Sequence, residues 1–266
     1  MGFKALALDL DGTLLVGEVL PAENLRALRE ARDAGYRVLI ATARWRQMAL
    51  RIAEEIGVTD PVIACSGAEV YDPAIGEDVF DERLPADFAA ELFALCDANR
   101  CIATVTFSER VLVKLDGGPE TLNLPNLEWT PALTGAEPSL PRVAAIQGSA
   151  VVARIRSELE PKYAGRVHIA DSIGPNGKII LTATGANASK GHALRAACSH
   201  MGIGAEQVVA FGDAENDIEM FNAAGASVAM GQADEATKQA ATFVSTPNTE
   251  GGVARAVERL LREGSL

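Results

Sequence analysis

The run Ala5-Leu6-Ala7-Leu8-Asp9-Leu10-Asp11-Gly12-Thr13 sets the fold class. Four consecutive apolar residues with no polar alternation read as a strand buried on both faces. Such strands belong in parallel sheets covered by helices. The strand runs straight into two carboxylates spaced two apart, which places both on one side of an extended chain. In open α/β sheets, ligands bind at the carboxyl ends of the strands. Carboxylates this close repel, so a metal ion or a shared proton must offset the cost. Gly12 allows a sharp turn directly behind them. An ordinary Asp-Gly turn would account for Asp11-Gly12 alone; the rest of the chain decides.

Outward from this strand, short apolar runs alternate with amphipathic helices. Residues 21–34 read as a helix with Pro21 in its first turn and Gly35 past its end. A second strand is expected over 36–41, a helix over 46–56 with Gly57 as its stop, and a third strand over 61–65. Strands separated by helices imply parallel βαβ units and a doubly wound, Rossmann-like α/β sheet. After Ser66-Gly67 the pattern changes to a small hairpin, strands at 69–71 and 78–80 around Pro73–Gly76. A helix (85–99), strands (102–107, 111–115), a Pro/Gly/Asn-rich stretch (117–141), a strand (143–147), a helix (150–159) and two strands (167–170, 179–182) follow. The parallel pattern then resumes with a helix (189–201), a strand (208–211), a helix (215–223), a strand (227–230) and a final helix (250–261). The expectation is a discontinuous core, 1–82 with 183–266, and an inserted α+β domain over 83–182.

The chain has 266 residues and a formal charge of −12. That balance speaks against a broad nucleic-acid or anionic-membrane surface, which needs a basic stripe. A small phosphorylated ligand stays open, given a local positive site such as a metal ion. Cys65, Cys96, Cys101 and Cys198 form no Cys-x-x-Cys pair, which reads as scattered buried thiols in a reducing cytoplasm. No signal-peptide pattern opens the chain, and no apolar run reaches the length of a membrane span.

Three further clusters carry chemistry. Gly212-Asp213-Ala214-Glu215-Asn216-Asp217 follows a buried strand. Acids at a helix start serve as caps, but three acids and an Asn exceed what capping needs. Oxygen ligands grouped this way suit Mg²⁺. Lys190 opens a helix, where a cation opposes the macrodipole unless an anion also binds there. Thr42-Ala43-Arg44 ends the second strand, where a hydroxyl and free N–H groups can hold phosphate oxygens; a helix-capping threonine would read the same. Glu18, His168 and His192 carry little weight as ligand contacts, and Trp45 and Trp129 read as packing.

Taken in order, Asp-x-Asp-Gly-Thr, the threonine after the second strand, the helix-start lysine and Gly-Asp-x-x-Asn-Asp resemble the four-motif signature of the haloacid dehalogenase superfamily. Ser189-Lys190-Gly191, the run from Gly212 to Met220 and the tail Pro247-Asn248-Thr249-Glu250-Gly251-Gly252-Val253-Ala254 are similar to its Cof-type branch, which has a large α/β (type IIB) cap. The resemblance implies a phosphatase with Asp9 as nucleophile and Asp11 as acid and base. It implies Mg²⁺ on Asp9, the backbone carbonyl of Asp11, and Asp213. Thr42 and Lys190 would hold the phosphoryl oxygens, Gly12, Ala43, Arg44 and Asn216 would take part in substrate binding, and Asp217 would orient Lys190 or a metal-held water. Two positions depart from the branch, Ala43 for its usual Gly and Ser66 for its frequent Asn. Both bear on substrate contacts rather than on the chemical groups.

The implied substrate is a sugar phosphate or similar small metabolite, the implied assembly a monomer or small homo-oligomer. A phosphomutase would share the phospho-aspartate. Residues 14–21 leave no room for the helical cap that mutases of this superfamily carry after the first motif. Receiver-like signalling modules share the residue types but are about half this length. A binding-only sensor would tolerate a missing catalytic group, and none is missing.

Overall fold

β1 (Ala5–Leu8) is buried at every position and lies between two parallel neighbours, β2 (Arg37–Ala41) and β12 (Val208–Gly212). The computed structural model of the protein describes residues 2–115, 127–173 and 178–266. The chain forms two compact units, one from the residues up to Asp81 with Ser189–Leu266, the other from Glu82–Ala188.

In the first unit, α1 (Ala22–Asp33) joins β1 to β2, and α2 (Arg46–Ile56) joins β2 to β3 (Val62–Ala64). Gly57 ends α2 in the left-handed conformation expected of a C-terminal glycine. β4 (Glu69–Asp72) and β5 (Glu77–Asp81) follow as the antiparallel hairpin read from the sequence. The chain returns with α6 (Lys190–Met201), β12, α7 (Ile218–Ala223), β13 (Ala226–Ala229), α8 (Glu235–Ala240), β14 (Phe243–Val244) and α9 (Gly252–Glu263). The sheet order is β14-β13-β12-β1-β2-β3-β4-β5, parallel from β14 to β3.

Alternate residues of the central strands supply the two faces. Leu6, Leu8, Val38 and Ile40 pack with Leu28 of α1, Ala53 of α2 and Val257 of α9. Ala5, Ala7, Leu39 and Ala41 pack with Leu194 of α6 and Phe221 of α7. Both faces are dry, which is why β1 shows no polar alternation. The antiparallel edge is held by Arg46, whose guanidinium bonds Glu69 (3.0 Å) and Asp78 (3.1 Å) and stacks 4.4 Å from the Tyr71 ring.

The second unit carries β6 (Ile102–Thr106), β7 (Val111–Lys114), β8 (Leu127–Trp129), β9 (Val143–Gln147), β10 (Val167–Ile173) and β11 (Ile179–Gly185) in one sheet. Its order is β10-β11-β9-β6-β7-β8, antiparallel except for β7–β8. α3 (Ala86–Asp97) lays Phe88 and Leu92 against Val105, Ile146 and Leu181 of this sheet. α4 (Ser149–Arg154) continues through one π-helical turn (Ile155–Leu159) into α5 (Glu160–Lys162). Phe88 meets Tyr163 edge-on at 5.1 Å between ring centres.

Several elements differ from the sequence expectation. The helix expected over 215–223 is a 3₁₀ turn (Glu215–Asp217) followed by α7. The last helix begins at Gly252 rather than 250, behind Gly251 in the left-handed conformation. β10 and β11 extend beyond their expected ends, each pairing along its full length. The sequence reading left α8, β14 and β8 out. Of the Pro/Gly/Asn-rich stretch, residues 117–126 lie outside the described residues. Among the described residues no helix is long and apolar enough to cross a membrane.

Asn24 ties three elements of the first unit together. Wholly buried, its Nδ2 donates to Leu14 O (2.9 Å) and its Oδ1 accepts from Ala254 N–H (3.2 Å). Replacing it by Ala leaves a buried carbonyl and a buried N–H without partners. Asn24→Ala is expected to lose about 2 kcal/mol or more of stability, measured as a lower urea midpoint at unchanged slope.

Candidate active site

Register brings the acids together. Leu8 pairs with Phe211 on one side and with Ile40 on the other. Asp9 therefore leaves its strand level with Gly212, next to Asp213, while the Thr42 loop leaves the adjacent strand at the same edge. The Asp9 N–H still donates to Phe211 O (3.0 Å), so the first residue past the strand is held as firmly as the strand.

Lys190 enters from the first turn of α6, whose N-cap is Ser189; the Ser189 hydroxyl accepts from His192 N–H (3.2 Å). The Lys190 ammonium, 1% exposed, donates to Asp9 Oδ1 (2.6 Å) and Asp217 Oδ1 (2.7 Å). Asp217 Oδ2 accepts the N–H groups of Asp213 (2.9 Å) and Ala214 (3.1 Å). Asp213 Oδ1 takes the Thr13 hydroxyl (2.9 Å). Among the described residues, Asp9 Oδ2 accepts no hydrogen bond. A lysine at a helix start is favourable when anions flank it, and here two do.

One oxygen from each of Asp9, Asp213 and Asp217 lies within 4.8 Å of the others. One ammonium cannot compensate three carboxylates. Burial alone would lower Lys190, yet Asp217 and Asp9 hold it above the usual ammonium range. Burial pushes Asp9 up, with Asp217 and Asp213 adding to the push and Lys190 opposing it. Burial likewise raises Asp213, against the hydrogen bond from Thr13. Asp217 has two amide donors besides the ammonium, so Asp9 is the less compensated partner of Lys190. An all-oxygen donor set with uncompensated negative charge fits a hard divalent cation. Gly12 (φ +80) lets the Asp213 carboxylate come this close, since a side chain there would overlap it.

The Asp11 carboxylate is not one of these three and is bound to Arg44 through Nε (2.9 Å) and Nη2 (2.5 Å). Arg44 also holds Glu18 through Nη1 (2.8 Å) and Nη2 (3.0 Å). The hydrogen bonds it donates to Asp11 and Glu18 keep this guanidinium charged, above its already high range. Thr42 is buried and its hydroxyl accepts the Arg44 N–H (3.1 Å), while Ala43 and Asn216 are exposed. His168 is exposed.

Two residues outside the four motifs join the site. Gln232 Nε2 donates to Gly12 O (2.5 Å) and approaches Asp213 Oδ2 (3.4 Å). Asn248 holds Gln232 Oε1 through its N–H (3.0 Å) and Leu15 O through its side chain (2.9 Å). Their only sequence signals are that Gln232 follows a strand end and Asn248 lies in the Cof-like tail.

A parallel sheet with an acid cluster and one buried ammonium at its strand ends defines an α/β enzyme built to handle an anionic group. The profile of haloacid dehalogenase-like hydrolases matches residues 6–257. The 5-amino-6-(5-phospho-D-ribitylamino)uracil phosphatase YcsE of Bacillus subtilis is 31% identical over 96% of this chain and 94% of its own. The pyridoxal phosphate phosphatase YbhA of Escherichia coli is 30% identical over 96% and 97%. In fold, the solved structure of the HAD subclass IIB sugar phosphatase BT4131 superposes with a TM-score of 0.79 at 23% identity, over 97% of this chain and 98% of that one. The chain belongs to the haloacid dehalogenase-like hydrolases, and it is an enzyme of the phosphatase kind.

Lys190→Met leaves Asp9 and Asp217 buried without their cation. It is expected to lower stability by about 3–5 kcal/mol in urea denaturation with chelator present. Adding Asp217→Asn should restore part of the loss, because one of the stranded charges is then gone.

Proposed function

We propose that this enzyme hydrolyses small phosphate monoesters, sugar phosphates or related metabolites, through a phospho-aspartate on Asp9. The observation that carries the reading is the buried Lys190 ammonium on Asp9 Oδ1, beside Asp213 and Asp217. It fixes one oxygen of a carboxylate whose other oxygen accepts no hydrogen bond among the described residues.

In the first half, an Asp9 oxygen bonds to phosphorus, the bond from phosphorus to the leaving oxygen breaks, and Asp11 gives that oxygen a proton. Lys190 and the Thr42 hydroxyl bind the transferring oxygens, where charge gathers as the transition state forms. Gly12, Ala43, Arg44 and Asn216 take part on the substrate side, and Asp217 keeps Lys190 aimed. Asp9, Asp213 and the Asp11 carbonyl would hold Mg²⁺, which when bound supplies positive charge against the phosphate and the clustered acids. The unit Glu82–Ala188 is the cap that sets substrate selectivity in this reading. The two relatives named above are phosphatases of different small metabolites, which supports the substrate class and leaves its member to experiment.

Phosphate release from sugar phosphates, nucleotides and an aryl phosphate, with Mg²⁺ and with chelator, tests the reading. Release is expected to need Mg²⁺ and to vanish in Asp9→Asn while the fold stays intact; normal turnover in that variant would refute the nucleophile. Asp11→Asn should lose roughly 10²–10⁴-fold on alkyl phosphates. Asp213→Asn should shift the Mg²⁺ titration of activity upward, and an unchanged curve would remove it from the ligand set.

A further inference from the structure

The segment behind β1 doubles back in a two-residue hairpin. Val16 N–H donates to Val19 O (2.9 Å) and Val19 N–H to Val16 O (3.2 Å). Gly17, at the first central position, has φ +61, the backbone that so tight a turn asks of glycine. The turn carries Glu18 to Arg44, and Arg44 is fixed from behind. Its N–H rests on the Thr42 hydroxyl (3.1 Å) and its carbonyl accepts Cys65 N–H (2.8 Å). One guanidinium, itself 11% exposed, thus grips two carboxylates, each through both oxygens. A planar fork can do this and a lysine cannot.

Exposed ion pairs contribute little to stability, and Glu18 is 77% exposed. What the contact does is fix the plane of the guanidinium that also holds Asp11. Asp11, gripped through both oxygens, keeps a lone pair on each and still has half its side chain open to solvent. So held, it is arranged to accept a proton from water.

We propose that Glu18 is a positioning residue for the second half of the reaction: through Arg44 it holds the Asp11 carboxylate where it takes a proton from the water that attacks phospho-Asp9. The inference rests on the phospho-aspartate reading above. In this step the water oxygen bonds to phosphorus, and the bond from phosphorus to the Asp9 oxygen breaks. Its electron pair returns to the Asp9 carboxylate, the water proton passes to Asp11, and inorganic phosphate leaves.

4-Nitrophenyl phosphate separates the two halves, because nitrophenolate departs without a proton. With this substrate kcat/KM reports transfer to Asp9, and kcat reports hydrolysis once that step is slow. In Glu18→Gln, kcat is expected to fall roughly 10- to 10²-fold while kcat/KM and the thermal midpoint stay unchanged. A stoichiometric burst of nitrophenolate should appear, and acid-quenched enzyme should carry a phosphoryl group on Asp9 by mass spectrometry. Arg44→Lys should lower kcat at least as far and, because Arg44 also takes part on the substrate side, kcat/KM as well. The double variant should have a kcat no lower than that of Arg44→Lys, since both changes cut one chain of contacts. An unchanged kcat in Glu18→Gln, or equal losses in kcat and kcat/KM, overturns the proposal. Asp11→Asn distinguishes the two readings. If it too never traps a phosphoryl group on Asp9, the phospho-aspartate reading fails and this inference with it. If it does trap one and Glu18→Gln does not, the inference alone fails.

Discussion

The first unit is organised around one buried ammonium. Lys190 lies between Asp9 and Asp217 with almost no exposure, and its burial is tolerable only because two carboxylates meet it there. That requirement reaches far along the chain. β1 must end where β12 ends so that Asp9 stands near Asp213, and α6 must begin there so that its first side chain reaches both. Asp217 must turn back over the two amides that precede it, which the 3₁₀ turn before α7 accomplishes. The same ammonium leaves the cluster with more negative charge than positive, so the arrangement that stabilises the core also makes the site receptive to a metal ion.

A second cation works by a different rule. Arg44 is gripped at its backbone and extends its fork toward the solvent side, joining the segment behind β1 to the loop behind β2. Lys190 is a point charge shared by buried acids, whereas Arg44 is a flat template that sets the directions of two exposed ones. The site thus separates compensation of charge from orientation of charge.

Much of this was legible in the sequence. β1, β2 and β12 announce themselves because strands covered on both faces carry unbroken apolar runs, and Gly57 marks the end of α2. Parallel neighbours imply that acids just past β1 and β12 share an edge, and the structure has Asp9, Asp213 and Asp217 together. Other features left no trace. β14 is two residues long, too short for any periodicity, and β8 sits in a stretch whose composition speaks of turns. Glu18 attracted little weight because its meaning depends on Arg44, 26 residues away and joined to it only by folding. Gln232 has no motif of its own; only the closure of the sheet brings it to the Gly12 carbonyl. Local pattern reports burial, while side-chain partnerships across loops follow from topology.

The order of the strands also governs how the chain can be made. β1 leaves the ribosome long before β12, yet one of its two edges belongs to β12, where Leu6 meets Val209. The unit Glu82–Ala188 is continuous and can close on itself as soon as it is complete. The central strand of the first unit must meanwhile wait, half paired and wholly apolar, for a partner synthesised after that entire unit. Pairings so distant in sequence are slow to form, and an unpaired apolar edge invites other chains. The discontinuity that gives this enzyme a separate second unit therefore leaves a wholly buried strand open along one edge while the chain is being made.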